Sequence, residues 1–264
     1  MRQARLLPPA VRSSLAGLVA FALGVCVGAV GSASAAPRMI RSCPKVSEAA
    51  KLPERRAGGV LRGDIDGDGA RDRVSIHFGP HARASCGFFL VVQTRRRAHA
   101  TRVPEWYKPP DVSTKRWPFA EPYVALIVRL EAHRSQVVVA REHGAAVVKV
   151  SLYGIAGGRL RLLQFFPKVY EDKLTLFGTV GTGDTNARCR KGGPLIVLSR
   201  SPTSATGKRW RFERTDYRLS EARFSVVRRR SAVVPEAKMP LLSRRWDFDV
   251  EPFTGCAVAR GRRL

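Results

Sequence analysis

The stretch "RGDIDGDGARDRVSIHF", residues 62–78, joins two patterns that together predict how the chain folds. From residue 73 to residue 78, polar and apolar side chains alternate strictly, which is the period of a half-buried β-strand. Just before it, four aspartates and two glycines fall between residues 64 and 72, in a chain that is otherwise strongly basic. The stretch therefore predicts a strand that is entered through a tight acidic loop.

The same strand signals recur along most of the chain. Short segments rich in β-branched and aromatic residues, bounded by Gly, Pro or charged residues, predict strands at residues 73–78, 86–94, 123–130, 136–142, 146–154, 158–166, 194–200, 208–219 and 222–230. Gly157 and Gly158 predict a hairpin, and no long window keeps the 3.6-residue apolar period of a helix. We therefore predict an all-β, hairpin-built fold, either propeller-like with degenerate blades or a sandwich or barrel.

The aspartate loop has the ligand spacing of a cation site. Asp64, Asp66, Asp68 and Asp72 occupy positions 1, 3, 5 and 9 of "DIDGDGARD", and carboxylates packed this closely repel one another unless a cation compensates them. The backbone carbonyl of Ala70, at position 7, completes a ring of oxygen ligands. Ca²⁺ tolerates crowded oxygen cages better than Mg²⁺ does, so the loop predicts one calcium site. The alternative is an acidic surface turn without an ion.

This loop resembles the calcium loop of the FG-GAP and VCBS repeat families, whose pattern is D-x-[DN]-x-D-G-x-x-D. Asp64, Asp66, Asp68, Gly69 and Asp72 all match that pattern. An EF-hand is a poorer match, because it requires a glutamate at position 12 and flanking helices. The resemblance implies calcium binding and an extracellular β-domain, and it implies no reaction.

The resemblance divides the chain into three parts. It covers residues 57–94 directly, as the calcium-loop repeat, and residues 123–166 more loosely, as a degenerate second repeat. In the second repeat a ligand set is replaced by "LEAHRSQ", with only Glu131 acidic, so a single calcium site is expected. Residues 174–264 form a C-terminal β segment in this interpretation.

The first 36 residues have the features of a cleaved secretory signal. Three arginines are followed by an uncharged apolar stretch that ends in small residues, which fits cleavage near Ala35 and Ala36. A retained membrane anchor is the alternative, since the stretch is just long enough for a spanning helix. We expect residues 37–264 to form a secreted or cell-surface domain.

The cysteine count agrees with export. Once Cys26 is removed with the signal, four cysteines remain, which is an even number suited to an oxidising compartment. Of the three possible connectivities we favour Cys43–Cys86 and Cys189–Cys256, because each pair closes a nearer segment.

The charge of the chain predicts an affinity for polyanions. The net charge is +26, and it becomes +23 when the three signal arginines are removed, with 44 Lys and Arg against 21 Asp and Glu. Anionic cell-wall or surface polymers are the expected partners, and nucleic acid is an alternative. The arginines are spread evenly, without the aromatic-interleaved stripe of a nucleic-acid reader.

Signatures of catalysis are sparse. No nucleophile elbow or zinc-protease motif occurs, and the glycine-rich segment at residues 178–185 lacks the lysine of a phosphate loop and indicates a turn. His77 and His81 are more typical of solvated loop residues than of a metal pair. We therefore expect a non-enzymatic protein. The alternative is an extracellular hydrolase whose site lies in the Pro-rich residues 103–123, which contain Glu105, Trp106, Asp111, Trp117 and Glu121.

Overall fold

The computed structural model describes residues 44–54, 59–78, 87–104, 122–142, 148–166, 174–176, 184–203 and 206–261. The predicted signal segment at residues 1–36 lies outside the described residues. So do Cys43 and Cys86, His81, and the candidate hydrolase residues between 105 and 121. Within the described ranges, no helix is long and apolar enough to cross a membrane.

Strands dominate the described residues, which confirms the all-β class. The strands are β1 Val60–Gly63, β2 Asp72–Phe78, β3 Phe88–Gln93, β4 Ala98–Val103, β5 Tyr123–Val128, β6 Gln136–Glu142, β7 Val148–Ala156, β8 Arg159–Leu162, β9 Gln164–Phe166, β10 Leu174–Leu176, β11 Asp184–Cys189, β12 Leu195–Pro202, β13 Arg209–Ser220, β14 Arg223–Pro235 and β15 Ala257–Arg260. The described helical elements are short: 3-10 helices at Val46–Lys51 and Glu236–Lys238, and α1 at Met239–Arg245.

The strands assemble into three sheets. The first sheet has the order β1-β2-β3-β4, and the central sheet has the order β10-β7-β6-β5-β15, with β8 also paired to β7. The third sheet has the order β11-β12-β13-β14-β9. All the pairings between the described strands are antiparallel except that of β9 with β14, which is typical of a fold assembled from hairpins.

The central sheet is buried on both faces. In β6, Val137 and Val139 belong to the apolar cluster shared with the first sheet, whereas Val138 and Ala140 belong to the cluster shared with the third sheet. Both faces of β5 and β6 therefore exclude water. This explains why their sequences are continuous apolar runs, while strands with one solvated face show alternation.

Short helical segments cover the outer faces of the stack. Ala49 of the first 3-10 helix packs on Phe89 and Val91 of the first sheet. On the opposite side, Phe248, just after α1, packs on Ile196 and Leu198 of the third sheet. The order of layers is therefore helical segment, first sheet, central sheet, third sheet and helical segment.

The predicted Cys189–Cys256 disulfide is present. Cys189 ends β11 in the third sheet, and Cys256 immediately precedes β15 in the central sheet. A backbone hydrogen bond from Cys189 N to Thr254 O, 3.1 Å long, runs beside the bridge. The disulfide therefore joins two layers of the stack.

Several predicted bounds differ from the structure. The segment 158–166 divides at Leu163, because β8 pairs with β7 whereas β9 moves to the third sheet beside β14. After residue 235, where the sequence patterns predict no strand or helix, the chain forms α1 and β15. Of the predicted turn at residues 178–185, Asp184 and Thr185 belong to β11 instead, and the other residues lie outside the described ranges.

Candidate metal centre

The aspartate loop is the connection between β1 and β2. These strands pair antiparallel, and the last pair, Gly63 with Asp72, closes the base of the loop. Ile65 is fully buried in the cluster between the first and central sheets, which anchors the loop to the protein core. The loop is therefore anchored to the body of the protein at both its base and its interior.

The side chain of Asp64 organises the loop through its own backbone. Its Oδ1 accepts a hydrogen bond from Gly67 N at 2.8 Å, and its Oδ2 accepts one from Gly69 N at 3.1 Å. Both glycines have positive φ values, +86° and +85°, which side chains rarely tolerate. The glycines thus permit the left-handed turns that bring two backbone N–H groups onto one carboxylate.

The other aspartates also bind backbone N–H groups. Asp66 Oδ1 accepts from Asp68 N at 3.2 Å, and Asp68 Oδ1 accepts from Ala70 N at 2.7 Å. Such short-range bonds are typical of aspartates in tight turns. They hold the carboxylates in place, so that little further ordering would be needed for a cation to bind.

Three of the four aspartates converge. Asp64, Asp66 and Asp72 each offer an oxygen that lies within 4.8 Å of those offered by the other two. Oxygens that share one Ca²⁺ at about 2.3–2.6 Å are at most about 5 Å apart, so the spacing fits a common ion. Asp68 is not part of this group and its side chain is exposed. The prediction that the Ala70 carbonyl is a ligand stays a prediction.

Asp72 is the unusual member of the group. Its side chain is 1% exposed, and its Oδ2 accepts hydrogen bonds from Ile65 N at 2.8 Å and Asp66 N at 3.2 Å. Its Oδ1 is buried and has no hydrogen-bond partner among the described residues. Burial raises the pKa of the Asp72 carboxyl, and the charges of Asp66 and Asp68 add to this rise against the two backbone bonds. A buried, half-satisfied carboxylate of this kind is costly unless a cation pairs with it.

The loop also rests on the turn between β5 and β6, in the central sheet. Ser135 N donates to the backbone carbonyl of Asp64 at 2.7 Å. A Cβ on Gly67 would lie 2.7 Å from Cγ of Arg134, so the backbone of the loop passes close to that side chain. Arg134 is itself held by Glu131 Oε1 at 3.1 Å and by Ile155 O at 2.9 Å.

The sequence interpretation missed this second contact. It treated "LEAHRSQ" only as a place where ligands are lacking, whereas the structure uses the segment as the platform beneath the loop. Glu131, its one acidic residue, binds Arg134 and also accepts from Gln136 Nε2 at 2.9 Å. No local pattern could have indicated the contact, because its two sides are far apart in the sequence.

His77 is a satisfied core residue. It is 7% exposed, with Nε2 2.9 Å from Ser75 Oγ and Nδ1 2.8 Å from Leu52 O. Since Leu52 O can only accept, Nδ1 carries the proton and Nε2 accepts from the serine hydroxyl. The histidine therefore fixes the first 3-10 helix to β2, which explains its place on a strand that the sequence predicted to be half solvated.

Comparisons of the chain with models of protein families, with curated proteins and with solved structures find no match.

Proposed function

We propose that the chain is an exported, non-enzymatic β-protein in which one Ca²⁺ ion fastens the first sheet to the central sheet. Asp64, Asp66 and Asp72 would hold the ion, with Asp68 and the carbonyl of Ala70 completing the ligand set. The observation that carries the proposal is that Asp72, one of three residues with converging carboxylate oxygens, has a buried Oδ1 without a hydrogen-bond partner among the described residues.

The donor set favours a hard divalent cation. All the candidate ligands are oxygens, without a histidine or cysteine in the group, which suits Ca²⁺ and Mg²⁺ better than zinc or copper. The loop also presents three carboxylates with fixed backbone contacts, and Ca²⁺ accepts such irregular cages more readily than Mg²⁺ does.

The position of the loop supports a structural role. The residues that would hold the ion also connect to Ile65 in the core and, through the Asp64 carbonyl, to the turn between β5 and β6. Extracellular calcium modules commonly bind with dissociation constants of about 10⁻⁴–10⁻³ M. At such an affinity the ion is a permanent part of the fold outside the cell and carries no signal.

Three further features support the exported assignment. The aspartate loop resembles FG-GAP and VCBS loops, the apolar N-terminal segment has the features of a signal, and a disulfide is present between Cys189 and Cys256. Disulfides persist mainly in oxidising compartments. In that setting a basic protein meets anionic envelope polymers, and the net charge of +23 that remains without the three signal arginines supports contact with them.

Isothermal titration of the purified chain with Ca²⁺ tests the metal assignment. We expect one equivalent of Ca²⁺ to bind, with weaker binding of Mg²⁺. Asp66→Asn keeps the acceptor for Asp68 N but removes one charge, so it should weaken Ca²⁺ at least tenfold.

The control is Glu236→Gln, which changes an exposed carboxylate in the 3-10 helix that follows β14 of the third sheet and should leave the affinity unchanged. Equal affinity of the Asp66→Asn variant and the wild type, or no saturable binding by either, would contradict the proposal.

A further inference from the structure

Strand β14 is an edge strand over most of its length. On one side it pairs with β13 from Arg223 to Pro235, and on the other side β9 covers only Arg223 to Ser225. Beyond Ser225, no described strand lies along that second side. In an antiparallel pair, every second residue directs its N–H and C=O away from the partner, so along the uncovered part these backbone groups have no strand partner among the described residues.

This edge is exposed and strongly basic. Arg228, Arg229 and Arg230 are all exposed, and the strand around them has no buried residue from Ser225 to Pro235. Together β13, β14 and their connecting turn contain eight arginines and three acidic residues, a net charge of +5.

The neighbouring carboxylates do not neutralise the edge. On β13, Asp216 is held by Arg214 through two contacts, of 2.8 and 3.2 Å. Glu213 Oε2 accepts from Arg229 at 3.1 Å. Arg228 and Arg230 form no ion pair or hydrogen bond with any described residue. The register places them opposite Asp216 and Arg214, so both project from the same face of the sheet.

Valines flank the arginines on both sides. Val226 and Val227 precede them and are 39% and 53% exposed, and Val233, which follows, is 42% exposed. Val227 is the extra residue of a bulge, because the register between β13 and β14 shifts at that point. The regular part of the β14 edge therefore begins at Arg228, with three arginines first and the valines after them.

We infer that the edge from Arg228 to Val234 binds an extended acidic polypeptide segment, which adds to the third sheet as a further strand. A peptide backbone supplies both donors and acceptors to the free edge, acidic side chains pair with the arginines, and β-branched flanks cover the valines. A single class of partner therefore complements the free backbone groups, the arginines and the valines of the edge.

Two other occupants fit less well. A linear polyanion such as a wall phosphate polymer has no backbone amides at strand spacing to pair with the free edge, and it offers little apolar surface to the valines. A second copy of the chain, pairing antiparallel through β14, would bring two sets of three arginines together, and like charges in register destabilise a strand pair.

The test uses the synthetic peptide Val-Thr-Val-Glu-Asp-Glu-Val-Thr-Val, labelled with a fluorophore and followed by fluorescence anisotropy. One comparison peptide replaces Glu and Asp by Gln and Asn, and another carries N-methyl groups on alternate residues, which block backbone pairing while keeping the charge. The protein variants are Arg228→Glu, Arg230→Glu and, as a matched control, Arg95→Glu, Arg96→Glu. The second pair is exposed in the turn between β3 and β4, in a different sheet.

We expect the acidic peptide to bind saturably, and the neutral and N-methylated peptides to bind at least tenfold more weakly. The Arg228→Glu, Arg230→Glu variant should lose at least tenfold in affinity, while the Arg95→Glu, Arg96→Glu variant keeps the wild-type value. Absence of saturable binding overturns the inference, as does equal loss in both variants. Equal binding of the N-methylated peptide, with displacement by polyphosphate, would show a surface that recognises charge alone and would also overturn it. Calcium is held constant throughout, so failure here leaves the metal proposal standing.

Discussion

Replacing Asp72 by asparagine should change the stability of the protein in opposite directions with and without calcium. In chelator, the wild-type protein carries a buried carboxylate whose pKa is raised by burial, so at neutral pH the ionised form costs folding free energy. Asparagine keeps an oxygen to accept from Ile65 N and Asp66 N. Its amide can donate to the nearby carboxylates of Asp64 and Asp66, so Asp72→Asn should melt at or above the wild-type temperature in chelator.

In calcium the order should reverse. With a dissociation constant of about 10⁻⁴–10⁻³ M, a free Ca²⁺ concentration of about 10 mM stabilises the wild type by about 1.4–2.7 kcal/mol. For a domain of this size, that corresponds to a rise in melting temperature of about 3–10 °C. The variant has lost a buried anionic ligand and places a donor where the ion would bind, so its melting temperature should barely respond.

Differential scanning calorimetry at pH 7, with chelator and then with excess Ca²⁺, measures all four melting temperatures. We expect the variant to melt at or above the wild-type temperature in chelator and below it in calcium. A rise of the same size for wild type and variant, or no rise for the wild type, would refute it. A variant that is much less stable than the wild type in chelator would contradict the claim that the buried charge of Asp72 is costly when no calcium is bound.

Three further predictions concern the stability of the fold. Removing the disulfide by Cys189→Ala, Cys256→Ala opens a loop with a sequence separation of 67 residues and should cost about 4 kcal/mol in the chain-entropy view; an unchanged calorimetric melting temperature would be inconsistent with this. Gly67→Ala and Gly69→Ala both place a side chain at positive φ, at about 1–2 kcal/mol each, but only Gly67 faces the turn between β5 and β6 closely. In urea titrations Gly67→Ala should therefore lose more stability, and equal losses would argue against the contact. Burial, and to a lesser extent the charge of Arg97, lower the pKa of His99 in the folded protein. Because the unfolded chain then binds the proton more readily, the protein should lose stability as the pH falls below about 6.5. His99→Gln should flatten that part of a pH series of urea midpoints, and parallel curves for the two proteins would refute the assignment.

Burial on both faces explains which strands the sequence predicts best. Strand β5 is apolar throughout and β6 is apolar from Val137 to Ala140, because each face packs against another sheet. Strand β4, by contrast, was missed. Its sequence "AHATRV" lies at the edge of the first sheet, and His99 and Val103 are its only buried residues, so it shows neither an apolar run nor a clear alternation.

The course of the chain at Leu163 could not be read from the sequence. The segment 158–166 has one continuous strand pattern, yet it serves two sheets. Leu163 N still donates to Leu152 O of β7, and Gln164 N donates to Ala222 O beside the third sheet. A period of two residues specifies which face a side chain occupies, but it carries no information on which strand lies alongside.

The candidate site was predictable in its residues and not in its surroundings. The spacing of Asp64, Asp66 and Asp72 is local, and the structure brings these three together. The same spacing placed Asp68 among the ligands, whereas its Oδ1 accepts from Ala70 N and lies outside the converging group. The burial of Asp72 depends on packing between sheets, which spacing alone does not encode.

The doubly buried central sheet also has a consequence for the newly made chain. Before the outer sheets form, "YVALIV" of β5 and "QVVVA" of β6 are uncharged, β-prone segments of the kind that stack between molecules into cross-β aggregates. Charged residues stand at their ends: Arg129 follows β5, and Arg141 interrupts β6. Such flanking charges oppose intermolecular stacking. Substituting Arg129 and Arg141 should leave the folded protein soluble while lowering the yield of refolding from denaturant. Their main effect would then be on the folding process and less on the stability of the folded protein.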